Sequence, residues 1–156
     1  MTFTRRQQRL IQEIYNNLNL LEKSLANLDY SYQKCLPYVD EENHSLEELE
    51  SIEALMARFA RASDIFISKV VKKLLILLRE MPKTMADIER FLEKLDVMVH
   101  SDQFLVIQGL RDAIAHSYLI QNPGDLLIQT VQMVDPLKSM IEQVSNYFYL
   151  KFQEDS

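Results

Sequence analysis

Arg111, Asp112, His116 and Tyr118 fall within the eight positions RDAIAHSY, inside a segment that otherwise has the apolar rhythm of a buried helix. Histidine is the side chain best matched to proton transfer near neutral pH, and arginine carries a fixed fork of donors that suits phosphate oxygens. An imidazole and a guanidinium together are the minimum set for cutting RNA without a metal. The ribose 2'-hydroxyl supplies the nucleophile, the imidazole exchanges its proton or that of the leaving group, and the guanidinium stabilises charge on the phosphorus oxygens. Asp112 precedes His116 by four positions, one helical turn, and is placed to orient the ring.

The helix that must carry these groups reads QFLVIQGLRDAIAHSYLI, with Ser101 and Asp102 as its predicted start. At about 100° per residue, Val106, Ile107, Leu110, Ala113 and Ile114 share an arc of about 120° and form the predicted core face. Arg111, Gln108, Asp112 and His116 fall on the remaining arc, His116 about 140° from Arg111. Phe104, Leu105, Gly109 and Ala115 share that outer arc and are too small or too apolar for an ordinary solvated face. A mid-helix glycine costs about 1 kcal/mol relative to alanine, so this face is expected to meet a partner, most simply a second copy across a twofold axis. Two copies would bring two Arg111 and two His116 into one cleft.

The rest of the chain reads as helices that position this one. Leu10, Ile14, Leu18, Leu21, Leu25 and Leu28 recur at steps of three and four, predicting a first helix from about Thr4 to Leu28 or slightly beyond. LPYVDEENHS interrupts the pattern, and Ser45 with Glu48 is a capping box that restarts it. The second helix then runs to Glu80, before Pro82. Thr84 and Asp87 cap a third, which carries Met85, Ile88, Leu92, Leu95 and Val99 inward. QNPGD ends the fourth, with Asp125 as the next cap, and the last region, Leu126 to Phe152, is expected to break or kink at Asp135–Pro136. The prediction is an all-α, antiparallel bundle of about five helices forming one domain over residues 1–156.

Composition agrees and excludes several classes. With 156 residues, two glycines, four prolines and no tryptophan, the chain consists of good helix formers and is long enough to bury a core unaided. A net charge of −6 argues against a protein that coats nucleic acid over a broad basic surface, but permits a local basic cleft. One cysteine, Cys35, means no disulfide framework. No run reaches the roughly 18 uncharged residues of a membrane span, so a soluble, cytoplasmic protein is expected.

Four further groups of residues could bear on function. Arg58, Arg61, Lys69 and Lys72 align on the second helix as a basic stripe able to guide RNA, or equally as a solvated face. Asp40, Glu41, Glu42, Glu47, Glu48 and Glu50 read as a solvated helix start favoured by the helix dipole, with docking of a basic protein surface as the alternative. His44, His100 and His116 lie too far apart in sequence to suggest a metal site, and no cofactor motif is present. Tyr30, Tyr32 and Tyr38 suit packing better than base stacking.

Arg111, His116 and Tyr118 match the R-x4-H-x-Y motif of HEPN-domain proteins, and the chain resembles the HepT-like toxins, the ribonuclease halves of bacterial HEPN/MNT toxin–antitoxin pairs. The resemblance implies a HEPN helical bundle, a homodimer with the motif at its interface, and a metal-independent endoribonuclease acting on RNA, with tRNA as one candidate substrate. It assigns Arg111 and His116 to catalysis, Asp112 to the supporting polar position, and Tyr118 to the tyrosine that a cognate nucleotidyltransferase antitoxin adenylylates. The homodimer would then associate with the antitoxin in a higher hetero-oligomer. Two alternatives remain at this point: a non-catalytic, substrate-binding helical subunit of a minimal nucleotidyltransferase, and a purely structural helical module.

Overall fold

The computed structural model describes residues 2–96, 103–116 and 123–152. Among these residues all regular structure is helical: α1 (Arg5–Cys35), a 3-10 turn (Leu36–Tyr38), α2 (Leu46–Asp64), a π-helical stretch (Ile65–Val71), α3 (Lys72–Leu77), α4 (Met85–Lys94), α5 (Gln103–Ala115) and α6 (Pro123–Phe152). Because α2, the π stretch and α3 follow one another without a gap, they form one long helical run, and the described bundle has five such runs.

Three starts follow from side-chain capping. Thr4 accepts the Gln7 N–H at 3.1 Å while the Gln7 side chain accepts from Thr4 N at 2.9 Å. Ser45 with Glu48 and Thr84 with Asp87 make the same reciprocal pair, each satisfying donors that a helix start leaves open. α1 outlasts its predicted end by two turns. Its inward stripe continues from Leu28 through Ser31 and Cys35, all buried, and these small residues hide a core face that a count of large apolar ones misses. Pro37, which cannot donate into the ladder, ends it.

The second run ends with Arg79 in the left-handed region (φ 62°), where Glu80 N–H reaches Leu75 O at 2.8 Å and Arg79 N–H reaches Ile76 O at 3.0 Å. This is a Schellman-type stop formed just ahead of Pro82. Inside the run, the Lys72 N–H bonds Ile67 O, five residues back, which marks the wide π turn. No residue there is a breaker, so no local signal marks it.

Contacts pair α1 in antiparallel fashion with the second run: Ser31 with Arg58, Asn17 with Lys69, Glu13 with Lys73. α6 also runs antiparallel to α1, through Asp29 with Lys138, Tyr15 with Tyr149, and Phe3 with Phe152. α2 packs on α1, α5 and α6, and α4 leans on α5. One apolar cluster draws on every helix, with Phe59, Phe66, Phe104 and Phe148 fully enclosed.

Two expectations about α6 are corrected. The helix begins at Pro123, which puts Asp125 in its first turn, and it continues unbroken through Pro136. A proline there removes one ladder bond, but Leu127, Val134, Leu137, Met140, Val144 and Phe148 are buried along the same face. Their combined burial outweighs the roughly 3 kcal/mol that an interior proline costs. No helix among the described residues is long and apolar enough to cross a membrane. Val99, Ser101, Asp102 and the Gln121–Asn122 part of the predicted turn lie outside the described residues.

Candidate functional site

α5 sits in the bundle about 60° away from its predicted orientation. Its buried residues are Phe104, Ile107 and Leu110, whereas Val106 is 48% exposed and Ala113 is exposed. Phe104 is the largest apolar side chain of the segment and Val106 stays half-buried in this seating, so enclosing the ring favours this register. The rotation moves Phe104 off the outer face and carries Arg111 inward to the α2–α5 contact. Its side chain is 24% exposed.

There Arg111 is held by two carboxylates. Nη1 donates to Asp64 Oδ1 at 2.5 Å, and Nη2 donates to Asp112 Oδ1 at 3.1 Å. Asp64 is the last residue of α2, beside the π stretch, and Ser68 Oγ donates to the same Oδ1 at 3.2 Å. Two polar atoms in this neighbourhood are buried without a hydrogen-bond partner, Arg111 Nε and Gln108 Oε1. Buried polar groups are nearly always satisfied, so among the described residues this cluster is incomplete.

His116 is exposed and stands just past the end of α5. Its Nδ1 lies 2.7 Å from the Asp112 carbonyl oxygen, which also accepts the His116 backbone N–H at 3.0 Å. A carbonyl only accepts, so Nδ1 carries the hydrogen and Nε2 keeps its lone pair for proton exchange. The main chain of Asp112, rather than its carboxylate, thus holds the imidazole. Its carboxylate is spent on Arg111 and, at 3.5 Å, on the Gln108 amide. Tyr118 lies outside the described residues.

The outer face of α5 consists of Leu105, Val106, Gly109, Ala113 and His116, all exposed. A Cβ built on Gly109 would meet nothing within 4 Å. This strip is apolar, low in profile and adjoins the imidazole.

The basic stripe on the second helix does not form. Arg58 turns to α1, donating to Asn27 O at 3.2 Å and Ser31 Oγ at 2.7 Å, with its guanidinium 6.0 Å from the Tyr30 ring centroid. The residue taken up by the π turn rotates Lys69 and Lys72 back by about 100° relative to Arg58 and Arg61. Lys72 borders a groove between α3 and α4 instead. Tyr32 and Tyr38 pack against the core and Tyr30 is exposed. Cys35 is fully buried, and burial pushes its thiol pKa up, away from nucleophilic use.

Sequence reasoning missed the role of Asp64. It is 47 positions from Arg111, and no local spacing links a carboxylate on one helix to a guanidinium on another. No family model, no curated protein and no solved structure matches this chain.

Proposed function

We propose that this chain is a HEPN-type ribonuclease toxin that works as a homodimer and is silenced when a nucleotidyltransferase antitoxin adenylylates Tyr118. The observation that carries the reading is the linkage through Asp112, whose carboxylate holds the Arg111 guanidinium while its carbonyl fixes the His116 ring with Nε2 free. In this reading Nε2 takes the proton of the ribose 2'-hydroxyl, or returns one to the departing 5'-oxygen, and Arg111 meets the negative charge on the phosphorus oxygens. The exposed strip on α5 is where a second copy seats, bringing a second Arg111 and His116 to the same cleft. The unpartnered Arg111 Nε and Gln108 Oε1 support completion of the site by a partner or substrate.

A second reading, a non-catalytic subunit that binds substrate for a nucleotidyltransferase, draws on the same site. Arg111 already has two carboxylates at hydrogen-bond distance, and a phosphate must displace Asp64 to reach it. Incubating total tRNA with the purified protein in EDTA, wild type beside His116→Ala, decides between them. The toxin reading expects cleavage lost in the variant; identical RNA patterns refute it. Nucleotidyltransferase binding without cleavage would establish the second.

A further inference from the structure

By charge alone, the link between α1 and α2 is a solvated acidic start to a helix. The structure distinguishes three of its residues. Glu48 is fixed by the capping box, with Oε1 accepting the Ser45 N–H at 3.1 Å. His44, just before the cap, has a side chain only 4% exposed, although the segment around it is open to solvent. Its Nδ1 is buried, has no hydrogen-bond partner, and points at Glu41 Oε2 from 3.5 Å. Glu41, His44 and Glu48 each place one donor atom within 4.8 Å of the other two.

We propose that Glu41, His44 and Glu48 form a binding site for a divalent transition-metal ion of the zinc class. Two ligands on a tetrahedral zinc at about 2.0–2.1 Å stand about 3.4 Å apart, and the His44–Glu41 pair is at 3.5 Å. The Glu48 donor atom lies within 4.8 Å of both, and a turn of its carboxylate that keeps the Ser45 bond to Oε1 brings Oε2 toward the ion. A buried imidazole nitrogen with no hydrogen bond is poor packing but a ready ligand. One nitrogen and two carboxylate donors select zinc, nickel or copper over calcium and magnesium, which prefer all-oxygen shells. The α2 N-terminus opposes a cation with about half a charge. Two ligating carboxylates outweigh it, and Asp40, Glu42 and Glu47 add to the negative field.

Three protein donors leave one position for water or for a side chain from another molecule. The ion would pin the acidic link to the first turn of α2. Sequence reasoning set His44 aside for want of a second histidine, whereas its partners are carboxylates three positions before and four after. None of this involves α5, so the site stands or falls independently of the proposed ribonuclease.

The test uses the full chain, stripped with chelator and dialysed, then titrated with zinc chloride in a calorimeter and with cobalt(II) in a spectrophotometer. One zinc per chain, a tetrahedral cobalt ligand-field band and no response to calcium are expected. His44→Ala and Glu41→Gln should each weaken zinc binding at least about tenfold. Should His44→Ala fail to fold by circular dichroism, Glu41→Gln decides alone, since Glu41 is exposed. Absence of zinc binding, or wild-type affinity in the folded variants, overturns the proposal.

Discussion

Paired truncations on α5 test how this helix is seated. Phe104 is 1% exposed and Val106 is 48% exposed. An enclosed phenylalanine removes about 150 Å² or more of apolar surface from water, worth about 4 kcal/mol at 25 cal/mol per Å². Phe-to-Ala changes in cores cost about 3–5 kcal/mol, so the two routes agree. For Val106→Ala, two half-buried methyl groups contribute about 0.8 kcal/mol, and the better helix propensity of alanine returns about 0.5. Phe104→Ala should therefore destabilise by about 4 kcal/mol, a fall in Tm of about 8–16 °C at this size, while Val106→Ala stays within about 0.5 kcal/mol. Urea denaturation followed by circular dichroism at low protein concentration measures both. If Val106→Ala proves the costlier change, α5 is seated as the apolar pattern alone predicts, and the placement of Arg111 against Asp64 is wrong. A Val106 effect that grows with protein concentration would instead reflect subunit association.

Three further outcomes are expected. Asp64→Asn removes the carboxylate that a phosphate must displace from Arg111; the half-exposed pair is worth about 0.5–1 kcal/mol, so KM for RNA should fall about two- to fivefold with kcat unchanged, and a rise in KM would contradict the site. Gly109→Arg meets no neighbouring atom in the single chain, so it should fold normally yet elute as a monomer in light scattering, whereas an unchanged dimer would place the subunit contact elsewhere. The Arg90 guanidinium, joined by the Lys83 and Thr84 amides, holds the Asp87 carboxyl below its usual pKa. Its support of α4 is thus complete above the ordinary aspartate range and lost as pH falls through the lowered value. An NMR titration in which Asp87 has an ordinary or raised midpoint would refute this.

Much of the fold was legible because caps are local. Thr4, Ser45 and Thr84 announce helices through bonds spanning three residues, and Pro37 and Pro82 announce stops through missing donors. What escaped was non-local. Nothing in IFISKVV signals a wide turn, because a π turn is held by tertiary packing of Ile67, Val70 and Val71. The apolar arc misplaces α5 because it treats Val106 and Phe104 as equals, whereas the core responds to area. Asp135–Pro136 has the local form of a cap and first-turn proline, and only the buried face of α6 carries the helix through it. At the candidate site the spacing of Arg111, Asp112 and His116 places them within two turns of one helix. It could not reveal that Asp112 divides its two ends between them, or that Asp64 arrives from across the bundle.

The wide turn at Ile65–Val71 works as a phase shifter in a rod that would otherwise keep one angular rhythm from Leu46 to Leu77. Ahead of it, the rod is indexed so that Arg58 meets α1 and Asp64 meets α5. Beyond it, the index slips, which sends Leu74, Leu75 and Leu77 inward while Lys72 faces the α4 side. Removing one residue from this stretch would restore a uniform ladder and leave the two halves of the rod competing for a single angular setting.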